Sequence, residues 1–444
     1  MYKIAIDRFK DYDLVKKFLI LFSLLVIVSY PSGPFLPDLF LTVTSIIFLY
    51  ISFKKKLKKY FFNPISIFFL LFFIFIILNS IFALHPLISL KSSAFYPRFY
   101  IFALSIWYLL DNDDFFKKII LNTAIVVLVF VNLDTLIQYF VGADIFGFDS
   151  YNHRLSGPFG EELIVGSFIS KLLPFIVSLY FLINKKITLS IGLLIATSFC
   201  VTFLSGERTS FFYIFTFLLI YLFFCHPILN KKILISFIIA SFLFILTTLM
   251  LDKSRYQRMV IYPICAMNLD VFSLLKCTSN SFADYKVYEG KDGERYNRPI
   301  YFSEAHEGHI KAAFKMFLDA PIFGKGNKMY RYHCGDEKFK NEFSCTTHPH
   351  NLLLQVLAEL GLVGFIFFMI VIYKIYKTFY LLIRKKIPLE AHERLAFIAV
   401  NLFLIQIFFV FLPSGQFFNN HLSILYYLPL GIYLNLDYKF KNAG

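Results

Sequence analysis

"THPHNLLLQVLAELGLVGFIFF" occupies residues 347–368. Two histidines, His348 and His350, stand at the mouth of an apolar run. An imidazole titrates near neutral pH and can take a proton from a sugar hydroxyl. The run belongs to a chain made almost wholly of such segments. Of its 444 residues, 58% are hydrophobic, 16% are charged and 59 are Phe, and the mean hydropathy is +0.66. Soluble domains average about 25% charged residues. One hydrophobic core does not account for this apolar excess, whereas a bilayer does, at roughly 20 apolar residues per spanning helix. The predicted class is therefore an all-α integral membrane protein.

Outward from this stretch, the apolar runs give twelve candidate transmembrane helices: 16–30, 35–53, 62–84, 95–110, 118–141, 162–183, 187–204, 209–224, 233–251, 351–373, 394–412 and 417–436. Basic clusters lie between them at 53–59, 116–118, 184–186, 230–232 and 384–386. With twelve spans these clusters and both termini share one side, which the positive-inside rule makes cytoplasmic. The formal net charge of +15 is thus a topology signal that also attracts anionic membrane lipids, and nucleic acid is not an expected partner. No cleavable signal peptide is expected, because 1–17 is too polar and no small-residue cleavage site follows.

The domain organisation predicted is 1–251 (helices one to nine), 252–350 (a large external loop) and 351–444 (the last three helices). The loop carries 15 Lys/Arg against 12 Asp/Glu, a net +3. Within it, 303–321 reads as a helix. Ser303 is placed to cap it, Pro321 ends it, and Ile310, Ala313, Phe314, Phe317 and Leu318 form one apolar stripe expected to face the membrane. Cys265, Cys277, Cys334 and Cys345 all lie in this loop. In an oxidising compartment they suggest two disulfides, preferably the sequence-local pairs Cys265–Cys277 and Cys334–Cys345. A zinc set of Cys334, Cys345, His348 and His350 competes, but it lacks the usual close cysteine spacing. No metal is predicted.

Two further external segments invite chemistry: "NHRLSGPFGEELIVGSF" (152–168) and the short turn "LSGERTSFF" (204–212). They place Arg154 and Arg208 near the outer surface with the histidines. A guanidinium fork matches phosphate oxygens bidentately. The plain alternatives are that Arg208 pairs with Glu207 or snorkels to lipid phosphate, and that Arg154 is an ordinary loop charge. Asn132, Asp134 and Gln138 either line a cavity or hold helices together. "DNDD" (111–114) reads as solvated helix-start charges.

Together these segments resemble the O-antigen ligase and O-antigen polymerase superfamily of bacterial envelope glycosyltransferases. The family's motif runs His, Asn/Ser/Gln, nine residues, Gly, two residues, Gly/Thr/Val. His350, Asn351, Gly361 and Gly364 fit it throughout, and the "SGER" turn and "RLSGPFG" match the family's arginine segments. The resemblance implies a GT-C-type fold in the bacterial inner membrane with the large loop periplasmic. It implies an undecaprenyl-pyrophosphate-linked glycan donor, no cofactor, and inversion at the anomeric carbon. In that scheme His350 is the general base, assisted by His348. Arg208 and Arg154 bind pyrophosphate, and Asn351 and Glu207 support them. The acceptor is either another lipid-linked glycan (a polymerase, which can work with a chain-length regulator) or lipid A-core (a ligase). The near-balanced loop charge tips this reading toward polymerase in lipopolysaccharide biosynthesis. A protein O-oligosaccharyltransferase and a lipid-linked sugar transporter are further alternatives, though transport does not require so large a loop.

Overall fold

Helix starts in this chain are set by short polar side chains at the loop–helix junctions. Asp13, Asn63, Asp113, Ser303 and Asn351 each accept the backbone N–H three residues on, satisfying a donor that the first turn leaves free. The structure, a computed structural model, describes residues 12–151, 153–225, 231–261, 263–264, 303–384, 389–409 and 412–442. Its longer helices are α1 Leu14–Val28, α2 Phe35–Lys55, α3 Pro64–Ile81, α4 Pro86–Phe95, α5 Pro97–Asn112, α6 Asp114–Val141, α7 Val165–Ile183, α8 Leu189–Leu204, α9 Arg208–Cys225, α10 Lys231–Leu251, α11 Glu304–Asp319, α12 Leu352–Ile383, α13 Ala391–Ile407 and α14 Asn420–Asn442. Among the described residues there is no β-strand, only the bridges Ala143–Asp149 and Tyr151–Arg154.

A helix lies over every predicted span, but the helices differ in reach. By length and composition, α2, α3, α6, α7 and α12 can cross a membrane, and α10 adds a sixth if it is joined to Lys253–Ile261 across a 105° bend. The 15 to 17 residues of α1, α5, α8 and α13 fall short of the roughly 20 a crossing needs. The chain is thus an all-helical, multi-pass membrane protein, and twelve crossings is more than helix length alone carries. α7 is central, with buried residues on every side. It packs on α6 and α13, while α5 packs on α14.

Polar residues inside the bundle have specific tasks. Gln138 donates to Phe148 O and accepts from the N–H groups of Ser156 and Gly157. Asp134 accepts from Ile145 N, and Asn132 donates to Ser198 Oγ. All three therefore hold neighbouring segments together. Two of the three "DNDD" charges are tied down rather than solvated: Asp113 caps α6 and pairs with Lys16 at 2.7 Å, and Asp111 pairs with Lys59, while Asp114 is an exposed helix-start charge as expected.

The decisive local feature is a break in α12. Gly361 sits at φ +62°, ψ −162°, a region essentially closed to residues with a side chain. The turn after α11 docks there. Leu362 N donates to Pro321 O, Val363 N to Ile322 O, Lys325 N to Ala358 O and Gly326 N to Glu359 O. The turn between α11 and α12 thus supplies hydrogen bonds that the interrupted helix lacks. The same turn reaches the first helices through Asn79 Nδ2 to Phe323 O and Ser89 Oγ to Asn327 O.

α11 forms where the capping serine predicts. Its stripe, however, is split. Ala312, Ala313 and Met316 are buried against α12 and Tyr330, whereas Phe314 and Leu318 are exposed. Ala313 therefore faces the protein, and the exposed apolar edge continues through Ile322 and Phe323.

Candidate functional site

His350 precedes α12 in a left-handed conformation, φ +52°, which non-glycine residues adopt at a cost and hold only where the surroundings fix it. The surroundings do fix it. Asn351 is spent on capping α12, and Ser414 N donates to His350 O at 2.9 Å. His348 lies beside it with ring centroids 4.1 Å apart. Its two nitrogens face Thr347 Oγ1 at 2.9 Å and Ser414 O at 3.2 Å. The carbonyl can only accept, so Nε2 of His348 carries the proton and Nδ1 accepts from the threonine hydroxyl. His348 is a held ring. Among the described residues the His350 ring makes no hydrogen bond, and its aromatic neighbours are other imidazoles.

Those imidazoles come from α11. His306 and His309 share one helix face at i, i+3 spacing, and each ring lies 5.3 Å from that of His350. Burial first, and then the neighbouring imidazole of His309, pull His350 down to about 4. Burial and His350 pull His348 down to about 3. Burial, His350, His309 and then Arg208 pull His306 down to about 4. Near neutral pH the cluster is uncharged, and a neutral imidazole is the form that accepts a proton.

His348 and His350 open on a cavity of about 250 Å³ lined also by Ser167, Lys171, Glu207, Tyr213, Gln406 and Ser414. Glu207 is held rather than free. Its carboxylate accepts from the N–H groups of Gly166 (2.7 Å) and Ser167 (3.1 Å) at the start of α7, and from Ser210 Oγ (3.0 Å). Burial raises it, opposed by the nearby Arg154 and Lys171 charges. Arg208 begins α9 and lies near enough to His306 to act on its charge. Arg154 sits behind Glu207, its Nη2 donating to Leu163 O at 2.7 Å, and is not on the cavity wall. The sequence-predicted His350, His348 and Glu207 therefore line one cavity, whereas neither arginine is on its wall: Arg208 lies on the His306 side and Arg154 behind Glu207.

Several neighbours carry no sequence signal. Arg258 Nε donates to Gly206 O at 2.8 Å, and Arg255 donates to His153 O. Gly206 sits at φ +74°, and a Cβ there would also lie 3.0 Å from the backbone oxygen of His153, so backbone conformation and a backbone contact together favour the "SGER" glycine. The segment 413–417 joins Ser414 to both histidines and Gln416 to Arg331. His306 and His309 were legible only as an i, i+3 pair on a helix read for its apolar stripe.

An apolar groove of about 340 Å³ shares Ile407 and Tyr426 with the histidine cavity and extends between α3, α12 and α14 to Pro64 and Lys441. Its Ile370 side is exposed. In the loop, Cys334 and Cys345 form a disulfide, so they are not available as zinc ligands with the two histidines. The Cys265–Cys277 pair lies outside the described residues. Among the described residues no group of three His, Cys, Asp or Glu side chains is arranged to hold a metal ion.

A search of curated proteins finds no match to the chain. Residues 193–369, which contain the "SGER" turn, α11, both histidines and the break at Gly361, match the family model described as O-antigen ligase, and this supports placing the chain in the O-antigen ligase and polymerase superfamily.

Proposed function

We propose that the protein is a metal-independent, inverting glycosyltransferase that moves a glycan from undecaprenyl pyrophosphate to an acceptor hydroxyl. The reaction takes place at the outer leaflet of the inner membrane, with the termini cytoplasmic and the loop periplasmic. The observation that carries this reading is the uncharged His350 ring, fixed by strained backbone at a cavity with Arg208 and Arg154 nearby and with an apolar groove adjoining it at Ile407 and Tyr426. His350 takes the acceptor proton as the hydroxyl oxygen attacks the anomeric carbon. The bond from that carbon to pyrophosphate breaks, and its electron pair leaves with the phosphate, stabilised by Arg208 and, behind Glu207, Arg154. His348 and Asn351 position the base. The polyprenyl tail lies in the groove between α3, α12 and α14. Pyrophosphate is already a good leaving group, so the step needs no metal.

The polymerase version leads, on the loop's small net charge. The ligase version is the second reading, and the family match is compatible with both. The test is transfer by purified His350→Ala protein in vesicles supplied with donor on the outer side. General-base loss should cost ~10²–10⁴-fold, and near-normal transfer would refute the assignment.

A further inference from the structure

We propose that Lys328 and Arg331 form a second anion subsite, which holds the phosphate or pyrophosphate of the acceptor. The acceptor is then itself a phosphorylated, lipid-anchored saccharide. This rests on the glycan-transfer reading above and extends it to the second substrate.

The geometry is built from the turn that docks on α12. Gly326 N bonds Glu359 O, Tyr330 N bonds Glu359 Oε1, and between them Lys328 is held at φ +61°. Glu359 is fully buried and also accepts from Gln355, so it fixes this backbone from inside and does not face solvent. Arg331 is exposed, and its Nη2 reaches Gln416 Oε1 at 3.3 Å. Gln416 is buried, and its Nε2 has no partner among the described residues. Two residues earlier, Ser414 O receives the His348 ring. One short segment therefore places Arg331 beside the histidine cluster.

The charges are lopsided. Arg98 is answered by a bidentate contact to Asp38 at 2.7 and 2.9 Å. Neither Lys328 nor Arg331 has a carboxylate ion pair among the described residues. Burial first, and then the Arg331 charge, lower Lys328 to about 8, with Arg98 adding and Glu359 and Asp38 opposing. Cations crowded in this way favour a bound anion. They are also separate from the donor side. Arg208 acts on His306 and Arg331 acts on His348, with the His350 ring in contact with both of those imidazoles. A donor pyrophosphate at the first end leaves the second end for another anion.

The test uses full-length protein in vesicles with saturating lipid-pyrophosphate-linked saccharide as donor. Two acceptors are compared, a polyprenyl-pyrophosphate-linked saccharide and phosphorylated lipid A-core, each against a dephosphorylated counterpart: the same saccharide glycosidically linked to a phosphate-free alkyl chain, and lipid A-core with its phosphates removed. Arg331→Ala should raise the KM of the phosphorylated acceptor about ten-fold or more, the scale of one lost charge-assisted contact. Donor KM should not change. Arg331→Lys should recover part of the loss. Lys328→Asn removes the charge while tolerating the left-handed backbone, and should act in the same direction. The acceptor that shows the effect names the source of the phosphate. An unchanged acceptor KM in both charge-removing variants, or an equal rise with the dephosphorylated acceptor, overturns the proposal. If wild type transfers to neither acceptor, the glycan-transfer reading fails. Retention of each phosphorylated acceptor lipid by detergent-purified wild type, measured against Arg331→Ala, then decides the subsite by itself.

Discussion

Substituting Gly361 by alanine should damage the protein far beyond what one methyl group would do in an ordinary helix. Two costs add. The backbone at φ +62°, ψ −162° is a conformation costing on the order of 1–3 kcal/mol for a residue with a side chain. In addition, the new Cβ would lie 2.4 Å from Ile322 O and 2.6 Å from Gly324 N. Those are backbone atoms, so no rotamer change relieves the contact and the 320–326 turn must retreat. Retreat loosens the bonds from Leu362, Val363, Lys325 and Gly326, each worth about 1 kcal/mol net. A total of about 3–6 kcal/mol is expected from these two principles combined. Gly142→Ala is the matched control. It is also left-handed, at φ +100°, but no atom lies within 4 Å of its would-be Cβ, so it carries strain without collision. Thermal unfolding of the detergent-purified variants gives the comparison, and trypsin cleavage at Lys325 and Lys328 reports the turn directly. If Gly361→Ala melts no lower than Gly142→Ala and its turn stays protected, the docked break is not what holds the loop.

The depressed imidazoles make stability pH-dependent. A histidine whose folded pKa lies below its unfolded value contributes stability that is intact above the unfolded value, near 6.5, and is lost as pH falls toward the folded one. With His350 at about 4 and His348 at about 3, the melting temperature should drop between pH 6.5 and 4, and a flat profile would contradict the buried cluster. Reduction of Cys334–Cys345, which closes a separation of 11 residues, should cost about 2–3 kcal/mol; an unshifted melting curve under reductant would show that the bond constrains nothing. Arg208→Ala should lose donor binding and Arg208→Lys should regain part of it, because a point charge replaces a fork. Equal binding of labelled donor by Arg208→Ala and wild type would leave that arginine without its role.

The bundle was legible because its signals are local. Apolar runs, a capping serine three residues before its donor, and a histidine ahead of a span can all be read within one stretch. The parts that were not legible depend on contacts distant in sequence. Ser414 meets His348 from 66 residues away, and nothing in "PSGQ" announces it. Arg255 and Arg258 reach the "SGER" turn only because the chain bends by 105° after α10. His306 and His309 lie on a helix whose apolar side is the louder pattern, and that pattern misassigned Ala313, since burial on α11 follows Ala312, Ala313 and Met316 rather than the phenylalanines. The short helices α1, α5, α8 and α13 show the limit of hydropathy in the other direction. α5 and α13 are apolar because other helices surround them, whereas α1 and α8 also expose Leu14, Phe18, Leu189 and Leu193, and composition alone does not separate the two cases.

The spacing of the motif follows from the break itself. Nine residues separate Asn351 from Gly361, about two and a half helical turns. The stub they form is pinned at its start by the Asn351 cap and at its end by the turn that replaces the helix's own bonds. Its length sets how far His350 stands from the break, and its phase sets which way the ring points. One residue more or less would turn the His350 ring by about 100°, away from His306 and His309 and off the cavity. A glycine at the far end is therefore a condition for placing that ring, although the two residues never touch. The turn after α11, the helix that packs on the histidines, is fastened at this same glycine. Ring, α11 and α12 thus share one fixed point, which is why a histidine and a glycine so far apart belong to a single motif.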